Sequence, residues 1–415
     1  MAVKSKPAIL ALSGTHAESS CGGRDLVNSE HRMPNRWPIV LMTRRLGHGG
    51  SERQMVNLAR SLDPSRFDVR VACFRSEGIR APELEARGIP ILNLDVRSFR
   101  KPSGIRGAVA LFRYLKRHGI RIVHAFDAPT NQFGVPVARL AGVPLVLSSA
   151  RGHRGLHPRE RRILRWIDGF AHAVVVNCEA MRRHLIDDEG VQAGRIRLCY
   201  NGLDTDEFSP GGRPRHGAFA GASLVIGTVG VLRPEKGLVT LVEAFARIPD
   251  RPPGVKLAIV GDGPVRQELE ERARALGIER SCVFLAARER VAPLLRGIDI
   301  FVLPSFEEAL SNSLMEAMAC GCCAVASNVG GNPELVAEEE GGLLFAAGDA
   351  AGLADILVRL IHDEELRTKL AREGARQIRE RFSLGASTRR MEEIYLEELR
   401  AKGLVADGEG PAPAS

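Results

Sequence analysis

Long apolar runs are absent from this chain of 415 residues. None approaches the roughly 20 consecutive apolar residues that a helix needs to cross a bilayer. Residues 1–35 also lack the long apolar segment of a secretory signal, because only residues 8–12 form an apolar patch there. We therefore expect a cytoplasmic protein in which residues 1–35 are a disordered extension, with Met33 as an alternative start.

Metal-binding patterns are also absent. The C-G-C-C run at residues 320–323 has neither a second C-x-x-C pair nor a histidine partner, and most of the eight cysteines lie in apolar segments. Such cysteines are typical of buried thiols in a reducing compartment. Asp204 and Asp206 have the D-x-D spacing that can hold a cation, but they follow Asn201-Gly202 in a turn-rich segment, where aspartates favour turns and caps. We expect no metal and no cofactor.

Aromatic residues are scarce, with three Tyr and two Trp, and no nucleic-acid-binding module is recognisable. The net charge of +8 is unevenly distributed: residues 1–210 hold 33 Lys and Arg against 20 Asp and Glu, and residues 211–415 hold 25 against 30. The basic half predicts an anionic partner. An anionic membrane surface is favoured over nucleic acid, and a solvated helix face is the alternative. The basic residues concerned are Arg97, Arg100, Lys101, Arg106, Arg113, Lys116, Arg117, Arg159, Arg161, Arg162 and Arg165.

Strand-like and helical patterns alternate along the chain, and a turn-rich segment at residues 200–221 interrupts them. Strands that alternate with helices predict parallel, doubly wound α/β sheets. Neither half has G-x-G-x-x-G after its first strand, which argues against a dinucleotide-dependent oxidoreductase. The expected architecture is two Rossmann-like domains at residues 36–205 and 206–385 with a cleft between them, an amphipathic helix at 386–402, and a disordered tail at 403–415.

The most informative stretch is residues 305–321, which follow a predicted strand at 299–303. Glu308 lies in the loop after that strand, and Glu316 lies in the helix predicted from Asn312. Ligands of open α/β sheets bind outside the carboxyl ends of strands, where helix N-termini point. Carboxylates can accept two hydrogen bonds from neighbouring hydroxyls, so the stretch predicts a site for a polyhydroxylated, phosphorylated ligand. Solvated charges at a helix start are the alternative.

A second loop, residues 230–237, reads G-V-L-R-P-E-K-G and follows the first predicted strand of the second half. Lys236 can act as a point charge on a diphosphate, and Arg233 can add a planar fork. An ordinary charged turn is the alternative interpretation.

Three features of the first half lie at predicted strand ends. The turn L-G-H-G-G-S-E contains Gly49 and Gly50, which permit close approach of a ligand to the backbone. His124 is a candidate for orienting a sugar, although a lone histidine is more often structural. Arg151, in a loop, is a candidate for holding a phosphate or an acceptor.

Together these stretches resemble the family-4 retaining glycosyltransferases, whose GT-B fold consists of two Rossmann-like domains. The resemblance extends over about residues 38–402. Its most specific part, P-S-F-E-E-A-L-S-N-S-L-M-E-A-M-A-C-G, is similar to the E-x7-E signature of that family, with Glu308 and Glu316 as the two acids. The supporting matches are G-G-S-E-R-Q from Gly49, N-G-L-D-T-D-E-F-S-P from Asn201, R-P-E-K-G from Arg233 and V-G-G-N-P-E-L-V from Val329.

The resemblance implies a nucleotide-diphosphate-sugar donor, a glycan or lipid-linked acceptor, retention of anomeric configuration and no metal, in cell-surface polysaccharide or glycolipid synthesis. It also implies that helix 386–402 crosses back onto the first domain. The implied catalytic residues are Glu308, Lys236 and Arg233, the donor-binding residues are Glu316, Leu310, Ser311, Asn312 and Gly230, and the acceptor-side or cleft residues are Gly49, Gly50, His124 and Arg151.

Three positions depart from the family pattern. Val231 stands where an arginine commonly follows Gly230, and Arg233 is the candidate replacement. Ala309 stands where a glycine usually follows the first acid, and Arg151 stands where many members have a histidine. The departures leave two alternatives open: another GT-B enzyme such as a sugar-nucleotide epimerase, or a non-catalytic sugar-nucleotide-binding protein.

Overall fold

A computed structural model describes residues 36–152, 166–167, 169–211, 216–336 and 340–405. The predicted N-terminal extension, the end of the predicted tail beyond residue 405, and the basic residues at 159–165 lie outside the described residues.

The first sheet is wholly parallel and has the strand order β3-β2-β1-β4-β5-β6-β7. Its strands are β1 Trp37–Arg45, β2 Phe67–Arg75, β3 Ile91–Asn93, β4 Ile122–Ala125, β5 Leu145–Ala150, β6 Ala173–Val176 and β7 Ile196–Leu198. The helices described in this part of the chain are α1 Gly50–Ser61, α2 Ala81–Glu85, α3 Pro102–Arg117, α4 Ala128–Leu140 and α5 Glu179–Asp187.

The second sheet is also parallel, with the order β10-β9-β8-β11-β12-β13. Its strands are β8 Leu224–Val229, β9 Val255–Val260, β10 Cys282–Leu285, β11 Ile300–Leu303, β12 Cys323–Ser327 and β13 Gly342–Phe345. The remaining helices are α6 Leu238–Arg247, α7 Arg266–Ala275, α8 Ala292–Leu295, α9 Asn312–Ala319, α10 Asn332–Val336, α11 Ala350–His362, α12 Glu364–Arg381 and α13 Leu384–Arg400.

Both sheets are covered on both faces. In β1, Ile39 and Leu41 belong to one apolar core, whereas Val40 and Met42 belong to another. Successive side chains of a strand point to opposite faces, so a continuous apolar run supplies two cores at once. The side chains of β8 are likewise divided between two apolar cores, one on each face of the second sheet. The two doubly wound α/β domains predicted from the sequence are therefore confirmed.

The strand order reverses between β1 and β4 in the first sheet and between β8 and β11 in the second. Such a switch point opens a crevice at the carboxyl ends of the strands, where open α/β sheets bind ligands. The turn after β1, the turn after β8 and the loop after β11 all begin at these edges. The topology therefore brings the three glycine- and acid-containing stretches to two facing crevices.

The last helix, α13, packs on the first sheet. Met391, Ile394 and Tyr395 share an apolar core with the strands of that sheet. A parallel bridge between Leu203 and Ser383 fixes the start of this helix next to the segment that leads into the second domain. In the part of the chain that the structure describes, no helix is long and apolar enough to cross a membrane.

Candidate active site

A cavity of about 610 Å³ lies between loops of the two sheets. Its lining contains every site residue predicted from the sequence except His124. The lining residues from the predictions are Gly49, Gly50, Arg151, Gly230, Arg233, Lys236, Glu308, Leu310, Ser311, Asn312 and Glu316.

Gly237 fixes how closely two of these loops approach. Its φ is +60°, and a Cβ added there would lie 2.1 Å from the carbonyl oxygen of Pro304. Only glycine adopts this conformation without steric cost. The close approach lets the Phe306 N–H donate to the Glu235 carbonyl at 2.8 Å, so the turn after β8 is tied to the loop after β11.

Lys236 and Glu308 form an ion pair at this junction, with Nζ and Oε1 2.5 Å apart. Ser305 Oγ donates to the same carboxylate oxygen at 2.9 Å. The Ser305 carbonyl in turn accepts a hydrogen bond from Ser327 Oγ at 2.6 Å. The lysine side chain remains 29% exposed and the glutamate 10%, so a positioned cation faces the cavity beside a largely shielded acid.

The segment V-G-G-N-P-E-L-V, which begins at Val329, packs against the backbone of the loop that contains Glu308. Gly330 has a φ of +54°, and a Cβ there would lie 1.8 Å from the Glu308 carbonyl oxygen. The Gly331 N–H donates to the Ala309 carbonyl at 2.6 Å. Ala309 itself is buried in the apolar core with Leu314, and it does not belong to the cavity lining.

Helix α9 begins at the cavity. Ser311 is its N-cap and accepts a hydrogen bond from the Leu314 N–H at 3.4 Å. Ser311, Asn312 and Ser313 all line the cavity. Unpaired backbone N–H groups and the helix dipole make such an end favourable for an anion. The cation of Lys236 and this helix end therefore share one cavity.

The second acid, Glu316, forms an ion pair with Arg53 of helix α1. Helix α1 packs in the first domain, whereas Glu316 lies in the second. The side chains are 6% and 21% exposed, respectively. Burial raises the pKa of the Glu316 carboxyl, and the Arg53 guanidinium opposes that increase. The guanidinium also lies over the Phe208 ring, 5.5 Å from its centroid.

An amide network joins the same two parts of the chain. Gln54 Nε2 donates to the Gly202 carbonyl at 3.0 Å and to Asn312 Oδ1 at 3.1 Å, and its Oε1 accepts from the Gly202 N–H at 2.8 Å. Asn201 Nδ2 donates to the same Asn312 oxygen at 3.0 Å. A Cβ at Gly50 would lie 2.8 Å from Asn312 Nδ2, so glycine there permits this contact.

Arg151 also lines the cavity. Its guanidinium donates to Asn201 Oδ1 at 2.9 Å and lies 4.8 Å from the centroid of the Phe126 ring. Burial lowers the pKa of Arg151. The side chain is thus held by an amide and an aromatic ring at the edge of the cavity.

The structure places His124 in the core and not in the cavity lining. It is fully buried in β4, where its Nδ1 lies 2.7 Å from Tyr395 Oη and its Nε2 lies 2.8 Å from Ser149 Oγ. Burial, and secondarily the nearby Arg151, hold the pKa of His124 well below its usual range. The His124 ring is enclosed by Tyr395 and Ser149, which accounts for its absence from the cavity lining.

Val231, which stands where the family commonly has an arginine, and Arg233, its candidate replacement, both line the cavity. Val231 is 51% exposed, and the Arg233 side chain is 59% exposed, with its guanidinium 3.7 Å from the Glu235 carboxylate. A cation is therefore present two positions beyond the site of the departure.

Within the described residues, no group of three or more His, Cys, Asp or Glu is arranged to hold a metal ion. Asp204 Oδ1 accepts the backbone N–H groups of Asp206 and Glu207 at 3.1 and 3.2 Å, which is a turn role. The cysteines that the structure describes are free thiols, and all except Cys282 are buried.

Arg53 and Gln54 line the cavity but are not among the site residues predicted from the sequence. Both belong to the quoted G-G-S-E-R-Q stretch, three and four positions after Gly50. Residues at that spacing lie on one face of a helix, so the turn that brings Gly50 to the cavity also brings them there. Their helical spacing from Gly50 could therefore have identified both residues from the sequence.

The fold consists of two Rossmann-like parallel-sheet domains, and the cavity between their loops contains Glu308, Lys236 and the N-terminus of α9. This architecture is that of the GT-B glycosyltransferases. Residues 48–207 match the profile described as "Glycosyltransferase Family 4", and residues 214–377 match "Glycosyl transferases group 1". The chain belongs to the family-4 glycosyltransferases, as its resemblance to that family predicted.

Relatives and solved structures agree with this assignment. The UDP-Gal:alpha-D-GlcNAc-diphosphoundecaprenol alpha-1,3-galactosyltransferase of Escherichia coli is 24% identical over 372 residues, which cover 84% of this chain and 94% of that protein. The D-inositol 3-phosphate glycosyltransferase of Saccharomonospora viridis is 30% identical over 288 residues, covering 65% and 67%. HepE of Anabaena, solved in complex with UDP and glucose, is 22% identical with a TM-score of 0.75, covering 86% and 99%, and supports the fold.

Proposed function

We propose that the protein transfers a sugar from a nucleotide-diphosphate sugar to a glycan or lipid-linked acceptor with retention of anomeric configuration. The observation that carries this proposal is the Lys236–Glu308 pair in one cavity with Glu316 and the N-terminus of α9. The E. coli relative, by its name, uses UDP-galactose and a diphosphoundecaprenol-linked acceptor, which supports a role in cell-surface polysaccharide or glycolipid synthesis.

The proposed chemistry places positive charge where the diphosphate leaves. The bond from the anomeric carbon to the diphosphate oxygen breaks, a bond from that carbon to the acceptor oxygen forms, and the acceptor proton passes to the diphosphate. Lys236, Arg233 and the N–H groups at the start of α9 stabilise the leaving charge, as electrostatic preorganisation requires. These groups supply the charge that a metal ion supplies elsewhere, so we propose metal-independent transfer.

The other residues would hold the two substrates. Glu316 would bind the donor ribose, Glu308 would contact the transferred sugar, and the backbone N–H groups of Leu310 and Ser311 would lie near the phosphate or sugar. Attack from the face that the diphosphate leaves would give retention. Gly49, Gly50 and Arg151 would contribute the acceptor side of the cavity.

The donor can be identified by thermal unfolding of the full chain with a panel of nucleotide sugars. A ligand at 100 times its Kd stabilises the folded state by about 2.7 kcal/mol, so the true donor is expected to raise the Tm above that of the other nucleotide sugars. Release of nucleoside diphosphate from that donor should then require an acceptor and persist in EDTA.

Three results would contradict parts of this proposal. Interconversion of free sugar nucleotides without an acceptor would favour an epimerase. Donor binding without turnover over a broad acceptor panel would favour a non-catalytic binding protein. Loss of turnover in EDTA that a divalent cation restores would refute metal independence.

We also propose a cytoplasmic enzyme that contacts the inner face of an anionic membrane through α3. Ile105, Val109 and Phe112 are 70%, 42% and 38% exposed and recur at the spacing of one helix face. The sequence has no Asp or Glu between Asp95 and Asp127. The exposed bases of this helix are Arg106, Arg113, Lys116 and Arg117.

The chain is expected to co-sediment with vesicles that contain phosphatidylglycerol and to be released by salt. Replacing Ile105 and Phe112 together by serine should weaken binding by about tenfold or more, because each large apolar side chain contributes about 1.5–3 kcal/mol on burial. Leu276→Ser, at an exposed apolar position of the second domain, is the control. Equal binding to phosphatidylcholine alone would contradict the proposal.

A further inference from the structure

A second cavity, of about 310 Å³, lies outside the cleft at the carboxyl ends of β1, β2 and β3. Its lining combines four arginines with an aromatic wall. The arginines are Arg44, Arg45, Arg75 and Arg97, and the aromatic residues are Phe74 and Phe99.

The arginines are held side by side by the sheet. Arg45 and Arg75 are register partners on neighbouring parallel strands. Within the described residues, no carboxylate forms an ion pair with Arg44, Arg45 or Arg75. Arg97 has only a long contact, from its Nε to Asp95 Oδ1 at 3.5 Å between exposed side chains. The Asp127 carboxylate is close by, but it accepts the Arg44 backbone N–H at 2.7 Å and forms no ion pair with these side chains. Among the described residues, the guanidinium groups of Arg44, Arg45 and Arg75 thus have no acidic partner, which favours an anion from outside the chain.

The aromatic wall gives the same cavity an apolar side. Phe74 and Phe99 pack edge to face with centroids 5.7 Å apart, and Phe99 stacks on Phe133 at the same distance. Phe74 is buried, whereas Phe99 remains 44% exposed. A phenylalanine that is anchored on one side and open on the other offers surface for an apolar chain, which a free inorganic anion would not use.

We propose that this pocket binds the phosphate and the first apolar segment of a lipid-linked acceptor. The inference rests on the proposed function and deepens it by assigning the acceptor class. Arg45 ends β1 and lines this pocket, and Gly49 and Gly50, four and five positions later, line the main cavity. The short connection between them would place a phosphate at Arg45 on the acceptor side of the protein. Helix α3 begins three residues after Phe99 and has an exposed apolar face. The rest of the lipid would extend from the pocket along this face.

The test is binding of farnesyl diphosphate to the full chain, measured by isothermal titration calorimetry beside inorganic pyrophosphate and farnesol. Farnesyl diphosphate should bind more tightly than either control, because only it has both the anion and the apolar chain. Arg45→Gln combined with Arg75→Gln should weaken its binding by at least about tenfold, since charge-assisted hydrogen bonds are lost. Phe99→Ser should weaken farnesyl diphosphate and leave pyrophosphate unchanged. Arg274→Gln, an exposed arginine of the second domain, is the matched control.

Several outcomes would overturn the assignment. These are absence of farnesyl diphosphate binding, equal binding by the double arginine variant, or pyrophosphate binding as tightly as farnesyl diphosphate. Loss of vesicle binding in that variant with unchanged farnesyl diphosphate binding would mean that the patch contacts a bilayer instead. Nucleotide-sugar binding by the same variants is measured separately, because it reports on the cleft. If no nucleotide sugar binds, the proposed function fails while the pocket titration remains readable.

Discussion

Replacing Lys236 by alanine is expected to lower acceptor-dependent sugar transfer by about 100- to 1000-fold, the loss found when one preorganised charge-stabilising group is removed from an active site. The ammonium group is held by Glu308 in the cavity that the helix α9 N-terminus also lines, and the proposed reaction places the leaving diphosphate there. Because charge on the diphosphate grows as the sugar departs, kcat should fall more than the donor KM rises.

Two further variants separate this role from a structural one. Lys236→Arg should restore only part of the activity, since a planar guanidinium does not match the geometry of a compact ammonium. Lys369→Ala removes an exposed lysine of helix α12 and should leave transfer unchanged. Transfer by Lys236→Ala within about twofold of the wild type would remove Lys236 from the proposed catalytic groups.

Much of the fold follows from local patterns. Continuous apolar strands such as β1 can be buried on both faces only when helices cover both sides, and the alternation of strands with helices supplies them. Lys236 and Glu308 could be expected to meet for the same reason. They follow β8 and β11, which are neighbours in the sheet at its switch point.

Contacts between the two domains could not be predicted in this way. The Arg53–Glu316 pair depends on how two separately folded sheets are oriented, and no local period in the sequence encodes that orientation. His124 shows a different limit. Its position near a strand end suggested the cavity, but the buried hydroxyls of Ser149 and Tyr395 satisfy both ring nitrogens within the core. Tyr395 comes from α13, which is distant in the chain.

Replacing Arg53 by alanine is expected to destabilise the protein by about 3 kcal/mol, because it leaves Glu316 buried without its cation. Glu316 is only 6% exposed, so water from the cavity compensates only in part for the lost guanidinium. Glu316→Gln in the same background should recover most of that loss, since no charge then remains unpaired. Recovery should be incomplete because the contact of Arg53 with the Phe208 ring is also lost.

The pH dependence of the Arg53→Ala deficit follows from the Glu316 carboxyl. Burial already raises its pKa in the folded state, and removing Arg53 takes away an interaction that lowers that pKa. An acid with a raised folded-state pKa contributes stability that is fully present below the unfolded-state pKa, about 4.3 for glutamate, and is lost as the pH rises through the folded-state value. The deficit relative to the wild type should therefore be largest at neutral pH and shrink on acidification.

Urea unfolding of the wild type, both single variants and the double variant, at neutral pH and at about pH 5, measures this coupling as a double-mutant cycle. Arg274→Ala is the control for loss of an exposed arginine, and its stability should match the wild type at both pH values. A coupling energy near zero, or a deficit in Arg53→Ala that does not change with pH, would show that the pair does not hold the two domains together.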